Sequence, residues 1–250
     1  MRKLPHPLIY LKTIDSTNSY AAQLLIKHQV EEETIILADE QTSGKGLGDN
    51  NWESEPGKNA TFSLILFPLF LSPEKQFLLN KSITLGVLDF LSSLSLGKKL
   101  SIKWPNDIYA GNRKMGGILI QNTICGREFE SSIAGIGLNL NQINFNTVLP
   151  NPVSLMQITG KSYNVEKVVN HIVEAIDERF LQLKNGSFDT LNTDYQKNLL
   201  GINEWKDFNV NNKLIKGKIG GVDDNGFLIV EMKDGAEFSF QHGDIDLIFN

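Results

Sequence analysis

The stretch Ser43-Gly44-Lys45-Gly46-Leu47-Gly48 sets a lysine among glycines inside a long polar segment, and Trp52 stands at its far end. Glycines let backbone N–H groups approach an anion closely and a lysine adds charge, so phosphate binding is the first chemistry to consider. The segment does not match G-x-x-x-x-G-K-[ST], because no glycine lies at the right distance before Gly44 and no Ser or Thr follows Lys45. It does not match G-x-G-x-x-G either, since the third glycine position is Asp49. The plain alternative is a flexible surface loop, although loops this long without structure of their own are uncommon unless functional or disordered. Trp52 weighs against the plain reading, because an indole in a polar loop gains little unless it packs on something, a purine face among the candidates.

Three other groups carry chemistry. Lys103-Trp104-Pro105-Asn106-Asp107 closes a strand-like run, and Lys114 follows just before Gly116-Gly117. A lysine opening a strand beside glycines can project into a cleft while the backbone approaches a ligand. A solvated hairpin with Pro-Asn-Asp as turn formers accounts for the same residues. In Ile133–Gln142, Gly135, Gly137 and Asn139 fall on one face by the period of two; a bulge or a tight core contact is the alternative. Ser16, Thr17 and Asn18 stand at a helix start, where capping is the default role and hydrogen bonding to a small polar ligand is the other.

The elements that must position these groups follow from apolar patterning. Strands are expected at Leu8–Lys12, Thr34–Glu40, Ala60–Phe67 and Leu100–Trp104, with the polar segment joining the second to the third. Helices are expected after Asp15 or Ser16, from Pro73 to about Leu94, through Val165, Val168, Val169, Ile172, Val173, Ile176 and Phe180, and from Phe188 to Leu199. Between Asp107 and Leu140 the turn spacing predicts antiparallel hairpins rather than crossovers. From about Trp205 onward, short alternating strands separated by DDNG and KDG predict a small all-β module.

Composition narrows the classes. At 250 residues, 41% hydrophobic and 21% charged, the chain reads as a soluble globular protein of one or two domains. A net charge of −5 offers no broad footprint for nucleic acid. Cys125 is the only cysteine, which fits a reducing compartment. The most apolar run, Phe62–Leu71, is about ten residues, interrupted by Pro68 and too short to span a bilayer.

Taken in order, Ser-Thr-Asn before a helix, Gln-x-x-Gly-Lys-Gly closing on Trp52, Lys-Trp-Pro-Asn-Asp followed by Arg-Lys-x-Gly-Gly-Ile, and Gly-Ile-Gly-Leu-Asn resemble the biotin protein ligase (biotin–[acetyl-CoA-carboxylase] ligase) family. The likeness covers nearly the whole chain. It implies an α+β fold: a mixed, mostly antiparallel sheet packed with helices in a class II synthetase-like ligase core over residues 1–200. A small C-terminal SH3-like β-barrel over residues 201–250 would complete it. It further implies an ATP-dependent, AMP-forming ligase that makes biotinyl-5′-AMP and passes biotin to a lysine of a biotin carboxyl carrier domain. Mg²⁺ would be held mainly through the nucleotide phosphates rather than by a dedicated protein cluster.

By this resemblance, Ser16, Thr17 and Asn18 with Gln41 would hold the ureido and thiophene end of biotin. Gly44, Lys45, Gly46 and Leu47 would fold over its valeryl chain and carboxylate, and Gly117, Gly135 and Gly137 would line the floor. Trp52 would stack near the adenine, and Asn106, Asp107, Lys114 and Asn139 would serve the nucleotide, with Lys114 also reaching biotin. Lys114, Asp107 and Lys45 are the catalytic candidates. The loop departs from the family's G-R-G-R-x-G-R-x-W: its arginine positions read Lys45, Leu47 and Asn50, and its third glycine reads Asp49. Lys45 keeps a charge without the planar fork, so phosphate contacts would lean on Lys114, other lysines and the metal. A mobile loop would act as a lid, ordering over bound ligand and keeping water from the acyl-adenylate.

The rivals are a lipoate or octanoyl ligase of the same fold and a non-catalytic biotin sensor. With no basic helix-turn-helix ahead of the first strand, the expectation is a monofunctional, cytoplasmic ligase with neither DNA nor membrane as partner. Homodimerisation by strand pairing is a further expectation from the family.

Overall fold

Residues 6–48, 50–146 and 151–249 are described in the computed structural model; Asp49, singled out above, lies outside them. β1 (Leu8–Ile14) alternates exposed and half-buried residues, as an edge strand does. Ser16 is extended and its side chain accepts from the Ser19 N–H, which starts α1 (Thr17–Ile26). β2 (Ile35–Gln41) begins with four buried residues, and β3 (Ala60–Leu66) is buried at every position, so β3 must be covered on both faces. Pro73 sits in a short 3-10 turn, and α2 (Gln76–Ser93) begins just after it.

β4 (Leu100–Lys103), β5 (Asp107–Ala110), β6 (Arg113–Cys125) and β7 (Glu128–Leu138) follow as the expected antiparallel hairpins. α3 (Leu155–Thr159) was not expected, although Ser154 and Gln157 form a complete capping box at its start. In α4 (Val165–Lys184), capped by Asn164, the predicted stripe is the buried face from Val168 to Phe180, with Val165 at its start half-buried. α5 is Phe188–Lys197.

The main sheet runs β1-β2-β3-β7-β6-β5-β4. Among the described strands of this sheet only β1 and β2 pair with each other in parallel, with α1 as their crossover, so the sheet is mixed and mostly antiparallel. α2, α4 and α5 cover one face through a continuous core that includes Phe62, Leu85, Ile172, Ile176 and Tyr195. α1 covers part of the other, where Ala21 and Leu24 meet Ile36, Ile65 and Ile133. α2 and α4 approach closely because Gly86 has no side chain: a Cβ there would lie 2.6 Å from the Ile176 Cα.

The tail folds as β8 (Trp205–Val210), β9 (Lys213–Val222), β10 (Leu228–Met232), β11 (Glu237–Phe240) and β12 (Ile245–Leu247). These form one antiparallel sheet in the order β11-β10-β9-β8-β12, an SH3-like arrangement whose recorded pairings leave β11 and β12 as edges rather than closing a barrel. Phe208, Ile219, Val222, Leu228, Val230 and Ile245 extend the main core without a break. Among the described residues no helix is long and apolar enough to cross a membrane.

Candidate active site

Strand register builds the floor of the site. Gly117 of β6 faces Gly137 of β7, and Leu119 faces Gly135, so three glycines form a smooth patch in the middle of the sheet. Each leaves room for a particular side chain. A Cβ on Gly135 would lie 2.3 Å from Asn18 Oδ1, one on Gly137 would lie 2.3 Å from Trp52 Cε2, and one on Gly117 would lie 3.1 Å from Asp107 Oδ1. Since Gly135 and Gly137 are two residues apart on one strand, the floor carries Asn18 at one end, then Trp52 about 7 Å along, with Asp107 and Lys114 beside it.

The Asn18 end is a pre-set cluster of buried polar groups. Ser16, Thr17, Asn18 and Ser63 are each less than 5% exposed. Thr17 donates from its backbone N–H and its Oγ1 to Gln41 Oε1, at 2.7 and 3.0 Å. Ser63 Oγ lies 2.7 Å from Thr17 Oγ1 and 2.6 Å from Asn18 Oδ1, while Asn18 Nδ2 donates to Gln121 Oε1 at 3.1 Å. Ser16 is both the helix cap and part of the cavity wall. Capping and ligand binding are therefore not alternatives here.

At the other end, Lys114 Nζ lies 2.8 Å from Asp107 Oδ2, both side chains partly exposed to the cavity. Asn106 is held in backbone pairing: its Nδ2 donates to Ile118 O, and its own carbonyl accepts from Ile118 N–H at 3.1 Å. Asn139 is buried and donates to Val153 O at 3.3 Å.

The polar segment is more ordered than expected. Gly46 N–H donates to Asn50 O at 2.7 Å, Trp52 N–H to Gly44 O at 3.0 Å, and Lys45 bridges Asn51, so residues 44–46 and 50–52 pair as the two arms of a narrow hairpin over the floor. Of the expected site residues, all but Gly44 line one cavity of about 320 Å³. Gly44 is buried behind the hairpin, where a Cβ would strike Trp52 O at 2.3 Å, so glycine is needed there for chain packing rather than ligand contact.

Several wall residues had no local signal in the sequence: Thr61, Tyr109, Phe145, and His242 and Asp246 from the small sheet; Lys103, Trp104 and Pro105 of the Lys-Trp-Pro-Asn-Asp motif join the wall as well. Burial first, and the Asp107 charge second, push the Tyr109 phenol well above its ordinary value, which keeps it protonated. Trp52 Nε1 and Thr61 Oγ1 are buried in this wall without a hydrogen-bond partner. Such orphaned groups are costly unless a ligand satisfies them.

Comparisons with known proteins agree with one another. The sequence model of the Biotin/lipoate A/B protein ligase family matches residues 10–139. The bifunctional ligase/repressor BirA of Bacillus subtilis (strain 168) is 30% identical over 246 residues, 96% of this chain and 74% of that protein. The biotin--[acetyl-CoA-carboxylase] ligase of Paracoccus denitrificans is 25% identical over 241 residues, covering 91% of this chain and 95% of that one. Among solved structures, biotin protein ligase from Aquifex aeolicus in complex with biotin and ATP superposes with a TM-score of 0.80 at 26% identity, over 98% of this chain and 99% of that one.

Proposed function

The chain belongs to the biotin/lipoate A/B protein ligase family, and from that premise we propose that it is a biotin protein ligase. It activates biotin with ATP to biotinyl-5′-AMP and transfers the biotinyl group to a lysine of a carrier domain. The observation that carries this reading is the closed polar end of the cavity. Thr17, Asn18, Gln41 and Ser63 form a fixed set of donors and acceptors where a ureido ring can bond. An apolar dithiolane or alkyl end would offer these groups no further bonds and would leave the orphaned Thr61 Oγ1 and Trp52 Nε1 unpaired, a cost of about 1–3 kcal/mol each, which disfavours a lipoate or octanoyl ligase.

The roles follow from position along the floor. Gly135 seats Asn18 and Gly137 seats Trp52 close to the sheet, which leaves the cavity beside them for the flat bicycle and chain of biotin, with Ser16, Thr17 and Gln41 around the ureido group. Trp52 packs on Gly137 and walls the same cavity, and its Nε1 is buried without a hydrogen-bond partner, which supports a contact with biotin as well as with the nearby adenine. Lys45, Gly46 and Leu47 lie over the chain, and Lys114, Asp107, Asn106 and Asn139 meet the nucleotide.

The first step brings a carboxylate against the α-phosphate, two anions. The phosphoryl oxygens gain charge as the C–O–P anhydride forms and the bond to pyrophosphate breaks. Lys114 is placed to stabilise that charge, with Lys45 assisting from the hairpin. Asp107 holds Lys114 through Oδ2, while its Oδ1 lies over Gly117 beside the Lys114 side chain, on the cavity wall. That oxygen, with the Asn139 amide, fits a Mg²⁺ carried mainly on phosphate oxygens, because Mg²⁺ takes one or two carboxylates and keeps its other sites for phosphate and water. When bound, the ion supplies charge neutralisation at the phosphates. In the second step the neutral acceptor amine attacks the acyl carbon and AMP leaves; of the wall carboxylates Glu53, Asp107 and Asp246, Asp107 is the one paired with Lys114 and so placed to orient the amine.

We assign the catalytic unit to residues 1–200 and the SH3-like module to 201–250. The acceptor is the carrier domain of a biotin-dependent carboxylase, and the lone exposed thiol of Cys125 fits a cytoplasmic location. For self-association by strand pairing, β4 is bridged by Leu199 at Ile102, which leaves β1 as the free edge of the main sheet. DNA binding is not assigned to this chain, given its net charge of −5.

Incubation with biotin, MgATP and a carrier domain, followed by intact mass, should show one biotinyl addition on the carrier. A reaction that adds lipoate instead of biotin would overturn the assignment. The hairpin over the floor should also act as a lid. Lys45 and Lys58 are exposed in the free protein, so trypsin is expected to cut there quickly and to cut slowly once biotin and ATP are bound. Equal cleavage in both states would count against the lid.

A further inference from the structure

The three residues that lead into Asp107 are each tied to a different part of the molecule. Trp104 Nε1 donates to Gly226 O at 2.9 Å, in the turn that joins β9 to β10 of the small module. Pro105 O accepts from the Tyr195 hydroxyl of α5 at 2.6 Å. Asn106 is bonded to the backbone of Ile118 in β6.

The first two ties share one support. Tyr195 is fully buried, and its ring meets Phe77 edge-on at 5.7 Å between centroids. Gly226, with φ of +89°, lies against that same Phe77: a Cβ there would be 2.4 Å from the ring. Lys81, only 1% exposed, donates to Asn192 Oδ1 at 2.8 Å and sits 5.2 Å from the Phe77 ring and 5.8 Å from the Tyr195 ring. Phe77, Lys81 and Tyr195 therefore form a platform under Trp104 and Pro105, with the module's turn pressed onto its edge.

A phenol buried among apolar groups has to be hydrogen-bonded to be tolerated. A phenylalanine would fill the same volume, so what the hydroxyl adds at position 195 is its bond to Pro105 O.

We propose that Tyr195 is a positioning residue for adenylation: it fixes the Pro105 carbonyl, and through the two following residues the aim of Asp107 at Lys114. The Asp223–Gly226 turn of the small module sets the same segment through Trp104. This rests on the ligase reading above and adds a route by which the module acts on the reaction without supplying a reacting group.

The test compares Tyr195→Phe and Trp104→Phe with wild type in biotin-dependent pyrophosphate exchange, with KM for biotin and thermal midpoints measured alongside. Small misplacements of catalytic groups cost roughly 10- to 100-fold, so Tyr195→Phe should lose about tenfold in kcat. The KM for biotin should stay near wild type, because the ureido end is held at Ser16–Asn18. Trp104→Phe keeps an aromatic ring but loses the donor to Gly226 O; it should show the same kcat loss, and the double variant should lose less than the product of the two. A Tyr195→Phe enzyme with a lowered midpoint but wild-type kcat per folded molecule would overturn the inference alone. A wild-type protein with no exchange would overturn the ligase reading and this inference with it.

Discussion

Lys114→Ala should leave the protein folded and remove most biotin-dependent pyrophosphate exchange, a loss of roughly 100-fold or about 3 kcal/mol, as for one lost oxyanion donor. The fold should survive because the side chain lies partly exposed in the cavity, outside the apolar core. The chemical loss is large because the cavity has few cations to share the work. Leu47 and Asn50 stand where the related loop carries arginines, and the remaining lysines on the wall are Lys45 and Lys103. Removing Lys114 also leaves the Asp107 carboxylate unopposed 2.8 Å from where the ammonium was, so a new negative charge faces two reacting anions. Lys114→Arg should recover only part of the rate, since a guanidinium does not place a compact charge at the same point. Near-normal exchange in Lys114→Ala, with an unchanged thermal midpoint, would remove this residue from the chemistry.

What could be read from the sequence was whatever has a local period. The α4 stripe and the alternation of Gly135 and Gly137 are each properties of one element and stand as expected, with Asn139 just past the end of β7 and on the same cavity wall. The pairing of Gly117 with Gly137 is not local. It depends on register between strands, and only that register shows why the glycines form one floor. Thr61 reads as one more residue of an apolar strand, yet its hydroxyl is orphaned in the cavity. His242 and Asp246 come from the last stretch of the chain and reach the wall only because the small sheet packs there. The pairing within the loop is legible only in part: its glycines mark close approach, but that Gly44 and Gly46 let the backbone close on Trp52 O and Asn50 O is seen only in the structure. Trp52 was rightly expected to pack on something, and what it packs on is the backbone of Gly137.

Gly135→Ala should weaken biotin binding by roughly 100-fold, about 3 kcal/mol, through the loss of paired ureido contacts, while sparing the nucleotide end. The added Cβ would lie 2.3 Å from Asn18 Oδ1 and 3.0 Å from Nδ2, so the Asn18 amide must move. It has nowhere to go without cost. Oδ1 is bonded at 2.6 Å to Ser63 Oγ, and Nδ2 to Gln121 Oε1 at 3.1 Å and Leu119 O at 3.4 Å. Either those bonds break and buried groups are left unpaired, or the amide swings into the space biotin needs. Lys114 and Asp107 lie over Gly117, off the other end of the floor, so kcat at saturating biotin should fall far less than affinity. Calorimetric titration with biotin in the absence of ATP reads the effect directly. An unchanged Kd would show that the ureido ring does not sit at Asn18. A selective loss of ATP binding would reverse the assigned direction of the substrates along the floor.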